Sequence, residues 1–480
     1  MTEELLINIT PYEVRAAFVA ESVLQEIYIE RRQHQGLVGN IYKGKVHRVL
    51  PGIQAAFVDI GLERAAFLHV SDLKSKTPDI NIRDHLQQGQ EILVQVYKDS
   101  LGSKGVRVTT QLTIPGRYLV FVPELKQLAF SQRITDEAER ARLSSMLTVN
   151  ALGSYVFRTA STAATQQELT AESEHLPTLW TDVLTRSKTA KVGELIYAEM
   201  PIELRLLRDR VTDAITRIRV DQAAIVADMQ EFCKRHMPNL TDRIEYHPST
   251  QPIFDIYSVE SQLQKALHRK VYLRSGGYLI FDQTEAMTTI DVNTGSFLGH
   301  GNQEDTIFKT NVDAISVIAR QVRLRNLGGI IIIDFIDMLD RQHKEQIVQL
   351  LIEALSKDTV RTEVSELSSL GLVQLTRKRT RESLERVLCV PCPVCQQRGT
   401  VKSLETMGYE ILRELRHTAR NFSWPGFSIM ASSVVVDYIN TYQADKLKEL
   451  ALEIERPIKL QVESTYTQEH YDIISMSEKE

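Results

Sequence analysis

Residues 328–338 read GGIIIIDFIDM, and this stretch decides the organisation of the fold. Four consecutive isoleucines are typical of a strand buried on both faces, as in an α/β sheet covered by helices. The run ends at Asp334, and Asp337 follows three residues later. Helical periodicity before the strand, at 307–325, and after it, at 343–356, predicts an α/β domain around it.

A second predicted strand, TTIDVNTG at 288–295, also ends in polar side chains. Asp291 and Asn293 are two residues apart, so on a strand they project from the same face. In open α/β sheets functional groups gather outside the carboxyl ends of strands, where Asp334 also lies. Carboxylate and amide oxygens suit Mg²⁺, which also binds substrate phosphates. Acidic residues are also common at strand ends and helix caps. The spacing therefore leaves open both a metal site and a purely structural role for these residues.

Length and composition exclude several classes of protein. A chain of 480 residues is too long for one hydrophobic core, so several domains are expected. Apolar residues make up 43% and charged residues 25%, ordinary values for a soluble globular protein. Lys and Arg total 57 against 62 Asp and Glu, and a net charge of −5 argues against coating nucleic acid by bulk charge. The start of the chain resembles no signal peptide, and we expect a cytoplasmic location.

Residues 37–110 contain five short, closely spaced strand patterns with glycine and proline turn signals between them. This spacing predicts a small barrel of the OB type. Phe57 and Phe67 suit single-stranded nucleic acid, because bases stack on aromatic rings, but both also suit a barrel core. The same segment carries cations that would meet phosphates: Lys43, Lys45, Lys98, Lys104 and Arg107.

A cysteine cluster, CVPCPVCQQRG, occupies 389–399. Cys392 and Cys395 have the spacing of a zinc knuckle, but a tetrahedral zinc needs four ligands and the chain has no second such pair. Either Cys389 joins with a distant histidine such as His417, or two chains each donate one pair. Three unliganded thiols are the alternative.

Further basic and helical patterns lie outside these segments. Arg158 and Thr159, in SYVFRTAST, form a possible phosphate site through guanidinium and hydroxyl groups. Helical periodicity predicts helices at 166–186 and through 203–237. Two basic clusters predict a phosphate-binding surface or a solvated face. They contain Arg320, Arg323 and Arg325, and Arg377, Lys378, Arg379 and Arg381.

Several long blocks resemble the bacterial ribonuclease E/G family across essentially the whole chain. They are TTIDVNTGSF (288–297), ARQVRLRNLGGIIIIDFIDM (319–338), LTRKRTRESLERVLC (375–389) and CPVCQQRGT (392–400). NIYKGKV and QAAFVDIGLERAAFLHV, within 40–70, resemble the RNA-binding barrel of that family. One departure is Gln397, which stands where the family usually has glycine and which makes the zinc geometry less certain.

The resemblance implies a magnesium-dependent endoribonuclease that cuts single-stranded, AU-rich RNA to 5′-phosphate and 3′-hydroxyl ends. It implies roles in ribosomal RNA maturation at the 16S 5′ end and in messenger decay, with stimulation by a substrate 5′-monophosphate. Asp291 and Asp334 would bind Mg²⁺, and Asn293 would orient the scissile phosphate or a metal-bound water. The remaining implied site residues are Phe57, Phe67, Lys98 and Lys104 for RNA, Gly116, Val120, Arg158 and Thr159 for the 5′-phosphate sensor, and Cys392 and Cys395 for zinc shared in a homodimer, possibly a tetramer.

The family resemblance also implies a multidomain α/β and β fold. An OB-type RNA-binding barrel is inserted in an RNase H-like domain, followed by a DNase I-like catalytic domain, a zinc knuckle and a small C-terminal α/β domain. The predicted boundaries are 1–36 plus 203–266 for the RNase H-like structural domain, 37–110 for the barrel, 111–202 for the sensor domain, 267–388 for the catalytic domain, 389–403 for the zinc link and 404–480 for the C-terminal domain.

The residues themselves leave two other functions open. A non-catalytic RNA-binding or assembly factor would use the barrel and the basic clusters, with the acids as structural groups. A metal-dependent phosphodiesterase acting on DNA would use the same acids. The joint presence of Asp291, Asn293 and Asp334 favours an enzyme, because binding alone does not need them.

Overall fold

The computed structural model describes residues 3–32, 36–74, 81–99, 105–123, 125–248, 250–295, 303–396 and 398–476. Within these ranges no helix is long and apolar enough to cross a membrane. Contacts divide the chain into two units, Met1–Val387 and Leu388–Glu480. Lys104 and Gln397, both singled out from the sequence, lie outside the described residues.

The first unit begins with an antiparallel meander. Its strands are β1 (Glu3–Ile9), β2 (Glu13–Ala20) and β3 (Val23–Arg31). Residues 1–36 are predicted from sequence to form strands, and alternation of polar and apolar side chains is visible at 26–30, within β3. The buried side chains of this sheet include Leu5, Ile7 and Phe18.

The barrel follows, and it closes because one strand pairs with two neighbours. Its elements are β4 (Ile41–Leu50), β5 (Ala55–Asp59), β6 (Ala66–His69), the short helix α1 (Ile82–His85), β7 (Glu91–Lys98) and β8 (Arg107–Thr109). Strand β4 pairs with β5 and also with β7, so the sheet curls back on itself. The five predicted strands are confirmed.

The next segment forms a small sheet beside a long helix. Its elements are β9 (Ile114–Pro115), β10 (Leu119–Pro123), β11 (Ala129–Phe130), α2 (Glu137–Met146), β12 (Gly153–Phe157), α3 (Gln166–Thr189) and β13 (Leu195–Tyr197). The sheet order is β11-β12-β10-β9, whereas β13 pairs with β4 and extends the barrel sheet. The segment 111–202 therefore supplies a strand to the barrel.

The chain then returns to the N-terminal sheet. The elements are α4 (Ile202–Asp209), β14 (Ile215–Val220), α5 (Ala223–His236), β15 (Ile244–Tyr246), α6 (Ile253–Ile256) and α7 (Val259–Leu267). Strand β14 pairs in parallel with β1, which gives the order β15-β14-β1-β2-β3. The predicted helix through 203–237 was wrong at 215–220. The apolar spacing of Ile215 and Ile218 suits a helix, but pairing with β1 buries both residues in a strand.

The last part of the first unit is the sheet built around the isoleucine strand. Its elements are β16 (Lys270–Tyr272), β17 (Tyr278–Gln283), β18 (Met287–Asn293), α8 (Gln303–Leu324), β19 (Gly329–Asp334), α9 (Arg341–Ser356), β20 (Thr362–Leu367), β21 (Leu372–Arg377) and α10 (Leu384–Leu388). We call the sheet β16-β17-β18-β19-β21-β20 the isoleucine sheet.

Among the described residues, helices cover one face of the isoleucine sheet and leave the other open. Ile331 and Ile333 are fully buried in a core that α8 and α9 share, whereas Ile330 is 46% exposed. The expectation of a strand buried on both faces was therefore wrong. Both helices pack on the same side, so alternate side chains of β19 point away from the helices. That open face carries the candidate catalytic side chains.

The second unit combines three helices with a three-stranded sheet. Its elements are α11 (Leu404–Asn421), β22 (Phe427–Ala431), α12 (Ser433–Tyr442), α13 (Ala444–Ile454), β23 (Ile458–Val462) and β24 (Tyr471–Ser475). Strand β22 lies between β23 and β24. Its buried side chains pack with those of the helices in a separate core.

Candidate functional site

The two carboxylates predicted to bind a metal stand side by side. Asp291 of β18 and Asp334 of β19 are register partners on neighbouring parallel strands. Such strands are about 4.8 Å apart, so side chains on the same face are close neighbours. Both side chains are exposed, on the face opposite the core of α8 and α9.

Asn293 joins this pair through a direct hydrogen bond. Its Nδ2 donates to Oδ2 of Asp291 at 2.8 Å. Its backbone is fixed by a close approach from the neighbouring strand, because a Cβ at Gly277 would lie 2.5 Å from the Asn293 carbonyl oxygen. The amide therefore holds one oxygen of the Asp291 carboxylate in place.

The electrostatics of the pair favour a bound cation. Partial burial raises the pKa of Asp334, and the neighbouring charges of Asp291 and Asp337 raise it further. Carboxylates that repel each other at such short range gain from a cation between them. Within the described ranges, no three His, Cys, Asp or Glu side chains converge on a possible metal position. Two carboxylates suit Mg²⁺, which retains several waters in protein sites.

The barrel carries a row of two aromatic side chains followed by two basic side chains. Phe57 of β5 pairs with Phe67 of β6, which pairs with Arg107 of β8, which in turn pairs with Lys98 of β7. The two phenylalanine rings meet edge to face, with centroids 5.9 Å apart. The Arg107 guanidinium lies 5.6 Å from the Phe67 ring centroid. We call these four residues the aromatic–basic row.

The two phenylalanines are not barrel core. Both are only half-buried, and the buried cluster inside the barrel is made of other side chains. The alternative that they fill the core is therefore wrong. Arg48, which pairs with Phe57 from β4 and is exposed, extends the row and was missed from the sequence. Lys45 is exposed on β4, whereas Lys43 is used internally, with Nζ 3.0 Å from the Ala190 carbonyl oxygen.

The residues predicted for the 5′-phosphate sensor come together at one edge of the small sheet. Nη1 of Arg158 donates to the Gly116 carbonyl oxygen at 2.5 Å. Thr159 is exposed next to it, and Val120 is half-buried on β10. The Gly116 N–H donates to the Leu119 carbonyl oxygen at 2.8 Å, so this donor is used within its own loop.

Two acidic residues support this site and were missed from the sequence. Asp209, at the end of α4, accepts a hydrogen bond from Arg158, and Glu172 of α3 binds the loop that follows Gly116. Each lies about fifty residues along the chain from its partner, so no local pattern signals the contact.

The cysteine cluster lies in the second unit. Cys389 and Cys392 are exposed and Cys395 is half-buried. Backbone N–H groups of Cys395 and Val394 hold the pKa of the Cys392 thiol below its usual range. A thiol that gives up its proton readily and faces backbone donors suits a metal ligand. His417 is exposed on α11 and contacts Asn421.

Most cations of the two basic clusters hold the first unit together. Arg377 is buried with Asp358 at 2.8 Å, and Nη2 of Arg325 donates to the His268 carbonyl oxygen at 2.8 Å. Arg381 donates to the Ile27 carbonyl oxygen at 2.6 Å, across to the N-terminal sheet. Arg325, Arg377 and Arg381 therefore do not form the predicted phosphate-binding surface, nor are they a solvated face. Side chains with rigid internal acceptors are not free to meet a phosphate.

An RNA-binding type of barrel combined with paired carboxylates on an α/β sheet defines a nucleic-acid-processing enzyme as the class of protein. Comparison with known families is consistent with both parts. Residues 37–109 match the S1 RNA binding domain, and residues 113–380 match the Ribonuclease E/G family.

Full-length relatives agree with the family match. The chain is 47% identical to Ribonuclease G of Escherichia coli (strain K12), over 99% of this chain and 100% of the relative. It is also 47% identical to Ribonuclease G of Haemophilus influenzae, over 98% and 99% respectively. Ribonuclease E of the same species is 35% identical, over 87% of this chain and 46% of the relative. The chain therefore belongs to the ribonuclease E/G family, and it is an endoribonuclease.

Proposed function

We propose that this endoribonuclease uses Mg²⁺ to cut single-stranded, AU-rich RNA to 5′-phosphate and 3′-hydroxyl ends. A 5′-monophosphate on the substrate stimulates the reaction, and the substrates are ribosomal RNA precursors, at the 16S 5′ end, and messenger RNA. The observation that carries the proposal is the register pairing of Asp291 with Asp334 on the open face of the isoleucine sheet. The aromatic–basic row supplies the matching RNA-binding surface.

The residues divide the chemistry between them. Asp291 and Asp334 would hold Mg²⁺, which when bound supplies positive charge that offsets the charge gained by the phosphodiester in the transition state. Asn293 fixes the Asp291 carboxylate through its amide hydrogen bond. A ligand that is fixed before the substrate binds costs no reorganisation during the reaction.

The barrel would position the strand. Unpaired bases stack on Phe57 and Phe67, while Arg107 and Lys98 meet phosphates along the same row. Because every base has a flat face, such a surface accepts single strands and excludes paired bases. Arg158 and Thr159 would bind the terminal phosphate of the substrate.

The second unit would join two chains. Cys392 and Cys395 supply two thiolates, and a tetrahedral zinc takes two more from a second copy. This arrangement would make the enzyme a homodimer, with a tetramer as a further step.

The test is a cleavage assay on one short AU-rich RNA, with Mg²⁺ or with EDTA, and with a 5′-monophosphate or a 5′-hydroxyl end. We expect Mg²⁺-dependent cutting, faster on the monophosphate, that Asp334→Asn reduces by at least about a hundredfold. Asp282→Asn is the matched control, because this exposed carboxylate of the same sheet pairs with Arg269 instead. DNA of the same sequence should remain intact. Tight RNA binding without cutting would favour a binding factor and overturn the proposal.

A further inference from the structure

The guanidinium of Arg158 is anchored through one of its three nitrogens. Nη1 donates to the Gly116 carbonyl oxygen at 2.5 Å and to Oδ1 of Asp209 at 2.7 Å. Among the residues that the structure describes, nothing accepts a hydrogen bond from Nη2 or Nε of Arg158. The side chain is 29% exposed, so this second edge faces accessible space.

Asp209 is itself held rigidly. The side chain of Arg208 is only 5% exposed, and it donates through Nε and Nη2 to the two oxygens of Asp209 at 3.1 and 2.8 Å. Arg208 also donates to Glu199 at 2.9 Å and to the Pro115 carbonyl oxygen at 3.2 Å. Burial alone would raise the pKa of Asp209, but Arg208 and then Arg158 hold it below its usual range. Asp209 is therefore a fixed negative charge at neutral pH.

The other anchor is fixed by a second carboxylate. Glu172 accepts the N–H groups of Arg117, Tyr118 and Leu119 at 2.6, 2.8 and 2.7 Å. A Cβ at Gly116 would lie 2.5 Å from the Glu172 carboxylate carbon, so only glycine fits there without a shift. The loop that presents the Gly116 carbonyl group is thereby held against α3.

The loop is also tied to the helix that carries Asp209. The Arg117 guanidinium donates to the carbonyl oxygens of Leu207 and Val211, at 2.9 and 3.1 Å, around the end of α4. The two acceptors of Arg158 therefore belong to segments that are bonded to each other. Their spacing is set by the fold before any ligand arrives.

We propose that Asp209 is a positioning residue of the 5′-end site, which holds Nη1 of Arg158 so that the Nη2–Nε edge is presented to a terminal phosphate. Guanidinium groups bind phosphate best through two parallel N–H donors, and this geometry requires a fixed plane. The inference rests on the proposed function of Arg158 as the sensor. It assigns to Asp209 no contact with the RNA.

The test measures kcat/KM on the same RNA with a 5′-monophosphate and with a 5′-hydroxyl end, and uses the ratio as the readout. Asp209→Ala should lower the ratio about tenfold, because a hydrogen bond between charged groups is lost. The loss should appear mainly as a higher KM for the monophosphate substrate. Asp209→Asn keeps an acceptor without the charge and should lower the ratio about threefold. Asp213→Asn, an exposed carboxylate beyond the same helix, should keep the wild-type ratio.

The outcomes separate this inference from the proposed function. If Asp209→Ala does not fold, Asp209→Asn carries the test, and a wild-type ratio in that variant overturns the inference. An equal loss on both substrates would show a structural role and also overturn it. If wild type prefers the monophosphate and Arg158→Ala abolishes the preference while Asp209→Ala keeps it, only the positioning role fails. If wild type has no preference, the sensor proposal fails and the inference falls with it.

Discussion

Asp291 and Asp334 lie side by side on neighbouring parallel strands, and the Asn293 amide donates a hydrogen bond to the Asp291 carboxylate at 2.8 Å. The three side chains come from two strands that are separated in sequence by the whole of α8. Their meeting is a consequence of strand pairing. The proposed metal site thus depends on the register between β18 and β19.

The hydrogen bond from Asn293 should set the affinity for Mg²⁺. Partners that orient a metal ligand are typically worth about tenfold to a hundredfold in metal affinity or activity. Asn293→Ala should therefore raise the Mg²⁺ concentration for half-maximal cleavage at least about tenfold. The control is Thr289→Ala, an exposed side chain two residues before Asp291 on the same strand. Identical Mg²⁺ titrations of Asn293→Ala and wild type would contradict the assigned role.

The aromatic–basic row should carry most of the affinity for single strands. Phe57→Ala and Phe67→Ala should each weaken binding of a short RNA by about 1–3 kcal/mol, which raises Kd roughly fivefold to 150-fold. Since neither ring belongs to the buried barrel core, the thermal midpoint should change little. Fluorescence anisotropy measures the affinity, with Tyr12→Ala, a 79% exposed ring elsewhere, as the control. A large decrease in Tm with an unchanged Kd would show that both rings stabilise the barrel and do not bind RNA.

The cysteine pair should bind zinc and link two chains. Cys392→Ala combined with Cys395→Ala should remove zinc, measured by elemental analysis, and shift the mass in light scattering toward the monomer. Cys389→Ala is the matched control, an exposed cysteine three residues before the pair. Zinc content and mass that stay at wild-type values in the double variant would refute the shared site.

The ion pair between Arg377 and Asp358 should be essential for stability. Their side chains are 1% and 3% exposed, and Arg377 also donates to the Asn326 side chain at 3.0 Å. Asp358→Ala leaves a buried, unpaired guanidinium and should cost about 3–5 kcal/mol in the free energy of unfolding. Glu363→Ala breaks an exposed ion pair with Arg361 nearby and should cost less than about 1 kcal/mol. Chemical denaturation measures the free energy of unfolding of both variants. Equal losses would argue against a special cost of the buried, unpaired guanidinium.

Mild acid should destabilise the contact between α3 and α5. His236 faces His175 with ring centroids 5.1 Å apart, and burial, then His175, then Arg235 lower the pKa of His236 below its ordinary 6.5. As the pH falls, His236 is therefore protonated in the unfolded chain before it is protonated in the folded protein. The contribution of neutral His236 to the free energy of unfolding is present above pH 6.5 and is lost as the pH falls below it. His236→Gln should show a smaller drop in Tm between about pH 7 and 5.5. Parallel Tm profiles for variant and wild type would rule out this contribution.

The sequence pattern predicted helices and strands correctly where the local spacing of apolar residues matches the side chains that the fold buries. The meander of 3–31, the five barrel strands and the long helix α3 follow the predicted pattern. The pattern failed at 215–220, because the three-residue spacing of Ile215 and Ile218 suits a helix. Only pairing with β1, more than two hundred residues earlier, selects the strand.

The basic clusters show the same limit for function. Arg377, Arg325 and Arg381 look alike in the sequence, yet each donates to an acceptor supplied by a distant segment. A run of cations does not reveal whether its side chains form internal hydrogen bonds and ion pairs or remain available to bind a ligand. That distinction depends on which carbonyl and carboxylate groups the fold brings near.

The sequence by itself determined the family, the closed barrel, and Asp291, Asn293 and Asp334 as candidates, because long motifs and strand periodicity are local properties. The tertiary structure alone decided which face of the isoleucine sheet stays open, that Phe57 and Phe67 stand outside the barrel core, and that Asp209 anchors Arg158. These relationships join residues far apart in the chain. These relationships depend on strand register and on the pairing of buried charged groups. Neither can be deduced from a short stretch of sequence, because each depends on distant segments.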